Sequence, residues 1–347
     1  MSMRSTCAVL VAISVSVVAL TAPSPARAQG GMPMLFALPV GSYIPHVSLD
    51  TKFAVDSRVP GQAAQLGVFD QEIKLGFPIW QDESDEVSFA GGFRAQLIDT
   101  AAVLPNTGEP FPKRLWDISF GPAYRHRFGN RWVLGISALA GSASDDPFSR
   151  FDVLDINANA FLRIPSGERN AWLIVINYAS NREFLRHYPI PGFGFLLGSK
   201  KNVRGFFGVP FFVQFFPNGP VSFRASYIPI VKIDAVLSAM PSESVEVFTG
   251  FQWRNERYMR ADRVGRDDRL YYYEMLAKAG VVIKPARWAK LIIEGGYSFR
   301  RKYFEGERFY DDSFNRVSVR PGPYASMGLE LMLGRPPSSY SSKEAPR

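Results

Sequence analysis

Cysteine is almost absent from this sequence, which has one, Cys7, among 347 residues. A single thiol cannot form an intramolecular disulfide. If residues 1–28 are removed, Cys7 goes with them, and the remaining chain has neither a cysteine nucleophile nor a cysteine metal ligand. Histidine is also scarce, since His46, His126 and His187 are the only three. No two of them share a helical or strand spacing, so we predict no metal site and no cofactor.

Long apolar runs are missing beyond the first 28 residues. Residues 7–20 form an apolar core between the basic Arg4 and the small residues of Ala26-Arg27-Ala28, which is the pattern of a secretory signal peptide. We therefore predict a signal peptide over residues 1–28 and a mature chain that starts at Gln29. No later apolar run reaches the roughly 20 residues that a transmembrane helix needs, so spanning segments must be strands.

Apolar residues instead recur at every second position. In residues 243–254, one face carries Val245, Val247, Thr249, Phe251 and Trp253, and the other face is more polar. Side chains of a strand alternate between two faces, so this pattern predicts a strand with one apolar and one polar surface. Fourteen segments can be read in this way: 45–57, 66–80, 86–99, 115–127, 131–141, 151–164, 171–180, 203–216, 221–228, 231–239, 245–254, 270–283, 289–300 and 322–334.

Short and long connections alternate between these segments, as they do in bacterial outer-membrane barrels. The sequence therefore predicts an all-β fold, an antiparallel up-and-down transmembrane β-barrel of 14 strands over residues 45–334. Twelve strands is the alternative if residues 221–239, which contain Pro229, form one kinked strand. We expect the apolar residues 29–44, which precede the barrel, to lie in the lumen. The Pro- and Ser-rich tail, residues 335–347, is expected to be disordered in the periplasm.

Composition fits a bacterial outer-membrane location. Aromatic residues make up 14% of the chain, and barrels use them in girdles at the membrane surfaces. Removing Arg4 and Arg27 with the signal peptide lowers the formal net charge from +8 to about +6. The basic residues are interleaved with acids, so we predict no nucleic-acid partner. The expected partners are outer-membrane lipids, lipopolysaccharide and the barrel assembly machinery; the sequence does not predict an oligomeric state.

Placing the apolar face toward lipid sends a nearly balanced set of acids and bases into the lumen. Most of them are expected to pair across neighbouring strands, which argues against a strongly anion-selective pore. The predicted lumen-lining residues are Asp50, Lys52, Glu72, Arg94, Asp117, Arg125, Asp155, Arg163, Lys232, Asp234, Glu246, Glu274, Lys278, Glu294 and Arg300.

Two loops are candidates for ligand contact. Residues 254–269 have an arginine at every third position, and Arg257, Arg260 and Arg263 could bind lipopolysaccharide phosphates through their guanidinium forks. Nearby acids could instead neutralise them in a salt-bridged loop. Residues 181–202 are apolar for an external loop, and the expected constriction residues there are Phe184, Tyr188, Phe193 and Phe195. The alternatives for this loop are a hydrophobic entry site or simple packing on the rim.

A resemblance supports the barrel. The run Val209-Pro210-Phe211-Phe212-Val213, continued by Tyr227-Ile228-Pro229 and the alternation up to Trp253, resembles an uncharacterised family of predicted outer-membrane β-barrel proteins. The strand count is also similar to that of the 14-stranded fatty-acid and aromatic-hydrocarbon channels, which have a longer N-terminal hatch. The resemblance implies a barrel and no activity.

The leading functional prediction is a passive channel or diffusion transporter for small molecules, with hydrophobic ones suggested by the apolar loop. The first alternative is a plugged structural or lipopolysaccharide-binding barrel. The second is an outer-membrane lipid hydrolase, although no histidine lies in a local signature of a Ser–His pair, and we predict that the protein is not an enzyme.

Overall fold

The computed structural model describes residues 38–182, 185, 187–198, 202–217 and 219–334. The predicted signal peptide, residues 29–37 and the predicted tail lie outside these residues. None of the helical structure within the described ranges has the length and hydropathy required to cross a membrane.

Seventeen strands are described, together with one 3-10 turn, Phe151–Val153. The strands are β1 (His46–Arg58), β2 (Gln65–Gln81), β3 (Asp85–Thr100), β4 (Arg114–Arg127), β5 (Val133–Ser144), β6 (Leu154–Ser166), β7 (Asn170–Ala179), β8 (Ile190–Gly198), β9 (Val203–Phe207), β10 (Phe211–Phe215), β11 (Val221–Ile228), β12 (Lys232–Ser242), β13 (Val245–Tyr258), β14 (Arg269–Ala286), β15 (Ala289–Gly306), β16 (Phe314–Val319) and β17 (Gly322–Met332).

Sixteen of these strands close a ring. Each strand from β1 to β15 pairs antiparallel with the next, and β17 pairs with both β15 and β1. The remaining strand, β16, pairs with the last part of β15, from Arg301↔Val319 to Glu305↔Phe314. The predicted antiparallel barrel is thus confirmed, but the predicted counts of 14 and 12 strands are wrong.

The two missing strands have separate causes. Residues 203–216, predicted as one strand, form the hairpin of β9 and β10, because the chain turns back at Gly208-Val209-Pro210. The other, β8, lies inside the predicted loop 181–202. Its inward positions include Gly192 and Gly194, which hide the usual polar alternation. Gly194 is required by packing, since an added Cβ would lie 2.3 Å from the ring of Phe206.

The predicted division of residues 221–239 into two strands is correct. Val221–Ile228 and Lys232–Ser242 pair antiparallel from Val221↔Ala239 to Ile228↔Lys232, with a tight connection around Pro229. The strand count therefore exceeds the predicted 14 because of β8 and the β9–β10 hairpin. Residues 221–239 contribute two of the sixteen strands, as expected.

The outward face of the ring is apolar, as a lipid-facing wall requires. Exposed side chains such as Phe53 on β1, Ile136 on β5 and Ile293 on β15 occupy alternate positions. The positions between them hold ionisable residues on β1 and β15, such as Lys52 and Glu294, and small or weakly polar residues on β5, such as Ser137. The alternation in the sequence therefore separates the two faces along most of each strand.

The wall differs in height around the ring. β14 and β15 have 18 residues each, whereas β9 and β10 have five. At about 3.3 Å per residue, these lengths correspond to about 60 Å and about 16 Å along the strand. At the end with short turns, β7–β10 finish together, since the Gly198 amide donates to Asn170 Oδ1 (3.1 Å) and Val203 pairs with Phe215. The low part of the wall is thus at the end with long loops, which we assign to the extracellular side.

Candidate functional site: the lumen

Ion pairs cross the interior of the barrel. Lys52 on β1 donates to Glu274 on β14 (Nζ–Oε2 2.6 Å), although β17 and β15 lie between these strands. Glu274 also accepts from Arg254 of β13 (2.7 Å) and from Ser298 Oγ (2.7 Å). Contacts between strands that are not neighbours define the inward face independently of hydropathy.

A second group of contacts reaches farther across the lumen. Arg94 on β3 donates through Nε to Asp70 Oδ1 (2.8 Å) and forms an ion pair with Glu256 of β13. Arg254 of β13 approaches Asp70 of β2 at 3.5 Å. Four or five strands separate β13 from β2 and β3 along the shorter way around the ring. The barrel is therefore flattened, and these two walls face each other closely.

An apolar layer fills the barrel on the extracellular side of these ion pairs. Leu104 and Phe111, from the loop between β3 and β4, enter the lumen and are buried against inward residues of β14 and β15. The Phe111 and Tyr303 rings meet edge to face at a centroid distance of 5.0 Å. Tyr272 stacks on Tyr303 at 4.7 Å. The loop thus acts as part of the core and leaves this region packed.

Opposite sides of the ring meet at the extracellular mouth. The Met259 amide, just beyond β13, donates to the Ala143 carbonyl of β5 (2.7 Å), and Ser144 forms a β-bridge with Met259. β5 and β13 are diametrically opposite, because β6–β12 separate them one way and β14, β15, β17 and β1–β4 the other. We call β13–β15, β17 and β1–β3 the filled side, and β4–β12 the open side.

The predicted arginine loop holds this bridge in place. Arg260 is buried and donates to Glu305 (2.7 Å) and Glu109 (2.6 Å), while Arg263 donates to Asp152 (2.6 Å). Burial raises the pKa of Asp152, but the guanidiniums of Arg263 and Arg150 together with hydrogen bonds outweigh burial and bring the pKa below its ordinary value. The carboxylate is therefore charged at neutral pH. Arg260 and Arg263 are engaged within the protein, which favours the salt-bridged alternative over contact with lipid phosphate.

Polar side chains line the open side and pair mainly with neighbouring strands. Asn159 donates to Asn157 (2.9 Å), and Asn177 of β7 donates to both residues on β6. Arg204 of β9 donates to Gln214 of β10 (2.7 Å). On β4, Asp117 faces inward and is nevertheless exposed, so solvent-accessible space adjoins it inside the barrel.

The described N-terminal residues lie against the periplasmic part of the open side. Val40 and Tyr43 pack with inward residues of β4–β9, including Phe161 and Phe206. Arg125 of β4 donates to the carbonyls of Leu38 (2.7 Å) and Pro39 (3.2 Å). Residues 38–43, which we call the N-terminal segment, therefore narrow the periplasmic end of the lumen.

A buried ion pair fixes this segment. Glu86 of β3 accepts from Arg125 through both oxygens (2.6 Å each) and from the Gly41 amide (3.0 Å). Gly41 has a left-handed φ of 76°, and a Cβ there would lie 2.2 Å from the Asp82 carbonyl oxygen. Burial, and then the Glu86 carboxylate, raises the pKa of Tyr43 to about 12. The phenol is therefore neutral at physiological pH.

The predicted lumen residues, with one exception, occupy inward register positions. These are Asp50, Lys52, Glu72, Arg94, Asp117, Arg125, Asp155, Arg163, Lys232, Asp234, Glu246, Glu274, Lys278 and Glu294. Arg300 is the exception. The β14–β15 register shifts there, Arg300 has a φ of 52° and is exposed, and Arg301 takes the inward, buried position.

The expected constriction residues are not together at the mouth. Phe193 and Phe195 belong to β8 and share the outward face with Trp172 of β7, whose ring lies 5.0 Å and 4.6 Å from theirs. Phe193 is 60% exposed there, as expected of a lipid-facing residue. Tyr188 is exposed in the β7–β8 connection, and Phe184 lies outside the described residues. The apolar character of residues 181–202 thus comes largely from an outward strand face.

The three histidines lie apart. His126 Nδ1 lies 2.8 Å from Asp85 Oδ1, and the same carboxylate accepts from the Tyr124 hydroxyl (2.5 Å) near a periplasmic turn. The His46 ring contacts Tyr43 at 5.6 Å, and His187 is 3.4 Å from the Tyr178 hydroxyl. Within the described residues, no group of three His, Cys, Asp or Glu side chains has the geometry of a metal site.

Sequence reasoning missed two carboxylates that organise the lumen. Glu256 was assigned to a loop because the predicted strand ended at Arg254, although the alternation Arg254, Glu256, Tyr258 continues. Glu86 begins the predicted third strand, and its partner Arg125 was recognised only as lumen-lining. A longer reading of the alternation would have found Glu256. The role of Glu86 depends on its contact with Gly41 of the N-terminal segment, which is distant in the sequence.

Comparisons with known proteins gave neither a matching family model nor a matching curated protein. Solved structures with similar folds include an outer-membrane channel from Pseudomonas putida F1, at 10% identity and a TM-score of 0.37, over 88% of this chain and 100% of that one. A mutant of the monoaromatic hydrocarbon channel TodX has 9% identity and a TM-score of 0.37, over 86% and 92%.

A third solved structure, OccK7 of Pseudomonas aeruginosa, has 10% identity and a TM-score of 0.37, over 84% of this chain and 99% of that one. Identities near 10% and TM-scores below 0.5 are too low to transfer a substrate or an activity.

Proposed function

We propose that the protein is a passive outer-membrane channel for small polar solutes, and that solutes pass along the open side. The observation that carries this proposal is the division of the lumen. One side is packed with ion pairs and an apolar layer, whereas the other is lined by polar side chains beside accessible space at Asp117.

The outer-membrane location rests on the surface of the barrel. A closed ring satisfies the backbone hydrogen bonds of its strands, and the outward side chains that alternate along them are apolar and exposed. In water this surface would be unfavourable, whereas lipid accommodates it. The cleaved signal peptide remains a prediction from the sequence.

Polar solutes are favoured over hydrophobic ones by the position of the apolar residues. The apolar loop that suggested a hydrophobic cargo is largely the strand β8, and Phe193 and Phe195 face outward. Asn157, Asn159 and Asn177 face inward on the open side. Side-chain amides form hydrogen bonds with hydrated solutes and gain little from apolar ones.

The N-terminal segment supports a second candidate, a plugged structural barrel. Its anchors are Arg125 and Glu86, whose side chains are 1% and 0% exposed. A segment held by a buried ion pair can close the periplasmic end permanently or narrow it. The two functions differ in whether the native protein conducts.

Single-channel conductance in planar lipid bilayers tests the proposal. The native protein should conduct, and a variant lacking residues 30–43 should show a larger conductance because its periplasmic end is wider. A variant with Phe111→Ala, which loosens the filled side, serves as the control and should keep the native conductance. A folded native protein and a folded deletion variant that are both silent would exclude the channel and favour the plugged barrel.

A further inference from the structure

Three arginines converge at the extracellular entrance of the open side. Arg182 follows β7 and donates to the carbonyl of Asn177 (3.1 Å), an inward residue of that strand. Arg269, at the start of β14, donates through Nε to Asn181 Oδ1 (3.0 Å) and is 3% exposed. The loop after β7 therefore reaches across to the β13–β14 sheet.

Arg257 completes the group. It pairs with Tyr271 on β14, so it shares a face with Arg269 two residues away on the adjacent strand, within reach of a diagonal contact. This face is opposite to that of Glu256 and Tyr272, on the part of the β13–β14 sheet that extends beyond its pairing with β12 toward the mouth. Burial, and then the nearby positive charge of Arg257, lowers the pKa of Arg182. Because Arg269 donates to Asn181 and Arg257 lies diagonal to Arg269, the guanidiniums of Arg182 and Arg257 lie in the same region of the structure.

Among the described residues, not every guanidinium N–H of this group has a protein acceptor. Arg182 Nη1 is buried and has no hydrogen-bond partner among the described residues. The carboxylate of Asp155 accepts from Ser180 Oγ (2.9 Å) and the Asn181 amide (3.2 Å). A buried guanidinium N–H without a partner is unfavourable, and an anion between Arg182 and Arg257 would satisfy it and offset their repulsion.

The strands below this entrance have the same sign of charge. The inward positions of β6–β12 hold two carboxylates, Asp155 and Asp234, and four cations, Arg163, Arg204, Arg224 and Lys232. Asp234 also forms an ion pair with Lys278 of β14 (2.7 Å). An anion that leaves the entrance therefore meets a net basic wall over β6–β12, with the exposed carboxylate of Asp117 on β4 of the same open side. This bias differs from the balanced lumen expected from the sequence.

We propose that Arg182 and Arg257 form an anion-binding site beside Arg269, which already donates to Asn181 and to the carbonyls of Asp267 and Glu307, and that the solutes of the channel are small anions with a carboxylate or phosphate group. The planar fork of each guanidinium suits two oxygens of such a group. This inference rests on the proposed function for the identity of the solute, whereas binding at the site can be measured without conduction.

The probe for binding is inorganic phosphate, titrated calorimetrically into the folded protein in detergent. The double variant Arg182→Gln, Arg257→Gln should bind phosphate at least about tenfold more weakly, since each substitution removes charged hydrogen bonds. Arg316→Gln is the matched control, because this exposed arginine lies on β16 at the same end of the barrel, and it should bind like the native protein.

The probe for transport is the reversal potential in a potassium chloride gradient. The native protein should prefer chloride over potassium, and added phosphate should reduce the chloride current. The double variant should lose most of the chloride preference and most of the block by phosphate. A protein that conducts without anion preference and binds no phosphate would overturn the inference while leaving the channel intact. A silent protein that binds phosphate through these arginines would retain the site and exclude the channel.

Lipopolysaccharide phosphate is the other source of the same chemistry. Lipopolysaccharide retained during purification should be equal in the native protein and the double variant if the site serves solutes. Loss of lipopolysaccharide from the double variant, combined with unchanged affinity for free phosphate, would overturn the solute site and assign these arginines to lipid.

Discussion

The filled side and the open side of the barrel share the same alternation of outward apolar residues, but they use the inward face differently. On the filled side, ion pairs such as Lys52–Glu274 cross between distant strands and an apolar loop covers them. On the open side, inward polar residues such as Asn159 and Asn177 pair with their neighbours. A single sequence pattern can therefore build both a packed core and a lined space.

The largest expected effect comes from the ion pair that anchors the N-terminal segment between the two sides. Arg125→Met leaves Glu86 buried without its partner, which should lower the free energy of unfolding by about 3–5 kcal/mol. Arg127→Met is the control on the same strand. Its side chain is 37% exposed and 3.9 Å from Glu83, so the loss should be at most about 1 kcal/mol. Urea unfolding in liposomes measures both, and equal losses would contradict the anchoring role.

Packing of the filled side gives the next effect. Leu104 is fully buried, so Leu104→Ala should reduce the free energy of unfolding by about 2–5 kcal/mol. Leu139→Ala, at a half-buried inward position of β5 on the open side, should cost less. The same unfolding measurement decides the order. A larger loss at Leu139 would mean that the filled and open sides are assigned the wrong way round.

The outward face offers a third comparison. Phe251→Arg or Ile293→Arg places a charge at lipid depth and should cost about 2–4 kcal/mol near the membrane midplane. Glu246→Gln changes an inward residue, 3.4 Å from Lys284, and should be milder. Heat-modifiable gel mobility of the refolded variants reports the difference. Equal tolerance at both faces would contradict the register.

The smallest effect concerns the bridge across the mouth. Asp152→Asn weakens the contact with Arg263 (2.6 Å), so trypsin should cleave faster after the exposed Arg266 while the barrel stays folded. Because the folded-state pKa of Asp152 is lowered, its contribution is present at neutral pH. It should be lost only as the pH falls below the ordinary carboxyl value of about 3.9. Unchanged cleavage would mean that other contacts hold the loop.

Much of the fold could be predicted because strand alternation is a local property of the sequence. The strand around Phe251 follows from it directly. The division at Pro229 is confirmed, but alternation alone left one kinked strand as the alternative. β8 could not be recognised by polarity, since its inward positions include Gly192, Gly194 and Leu196. The turn at Gly208-Val209-Pro210 was hidden in a continuous apolar run. Arg300 was misplaced because a bulge shifts the alternation by one residue.

The site was less predictable, because its contacts join residues that are far apart in the sequence. Arg94 and Glu256 are separated by 162 positions and meet only because the ring is flattened. The bridge between Met259 and Ala143 has the same origin. Alternation identifies which side chains face inward, but it does not predict the cross-section of the barrel. Pairs between opposite walls could therefore be identified only from the structure.

The most direct test of the account is thiol modification of single cysteines during single-channel recording. In a chain with Cys7→Ser, Ser226→Cys places a thiol at an inward position of β11 on the open side, and Ser298→Cys places one on the filled side. A charged thiol reagent should lower the conductance of the Ser226 variant and leave that of the Ser298 variant unchanged. A drop confined to the Ser298 variant would contradict the proposed pathway.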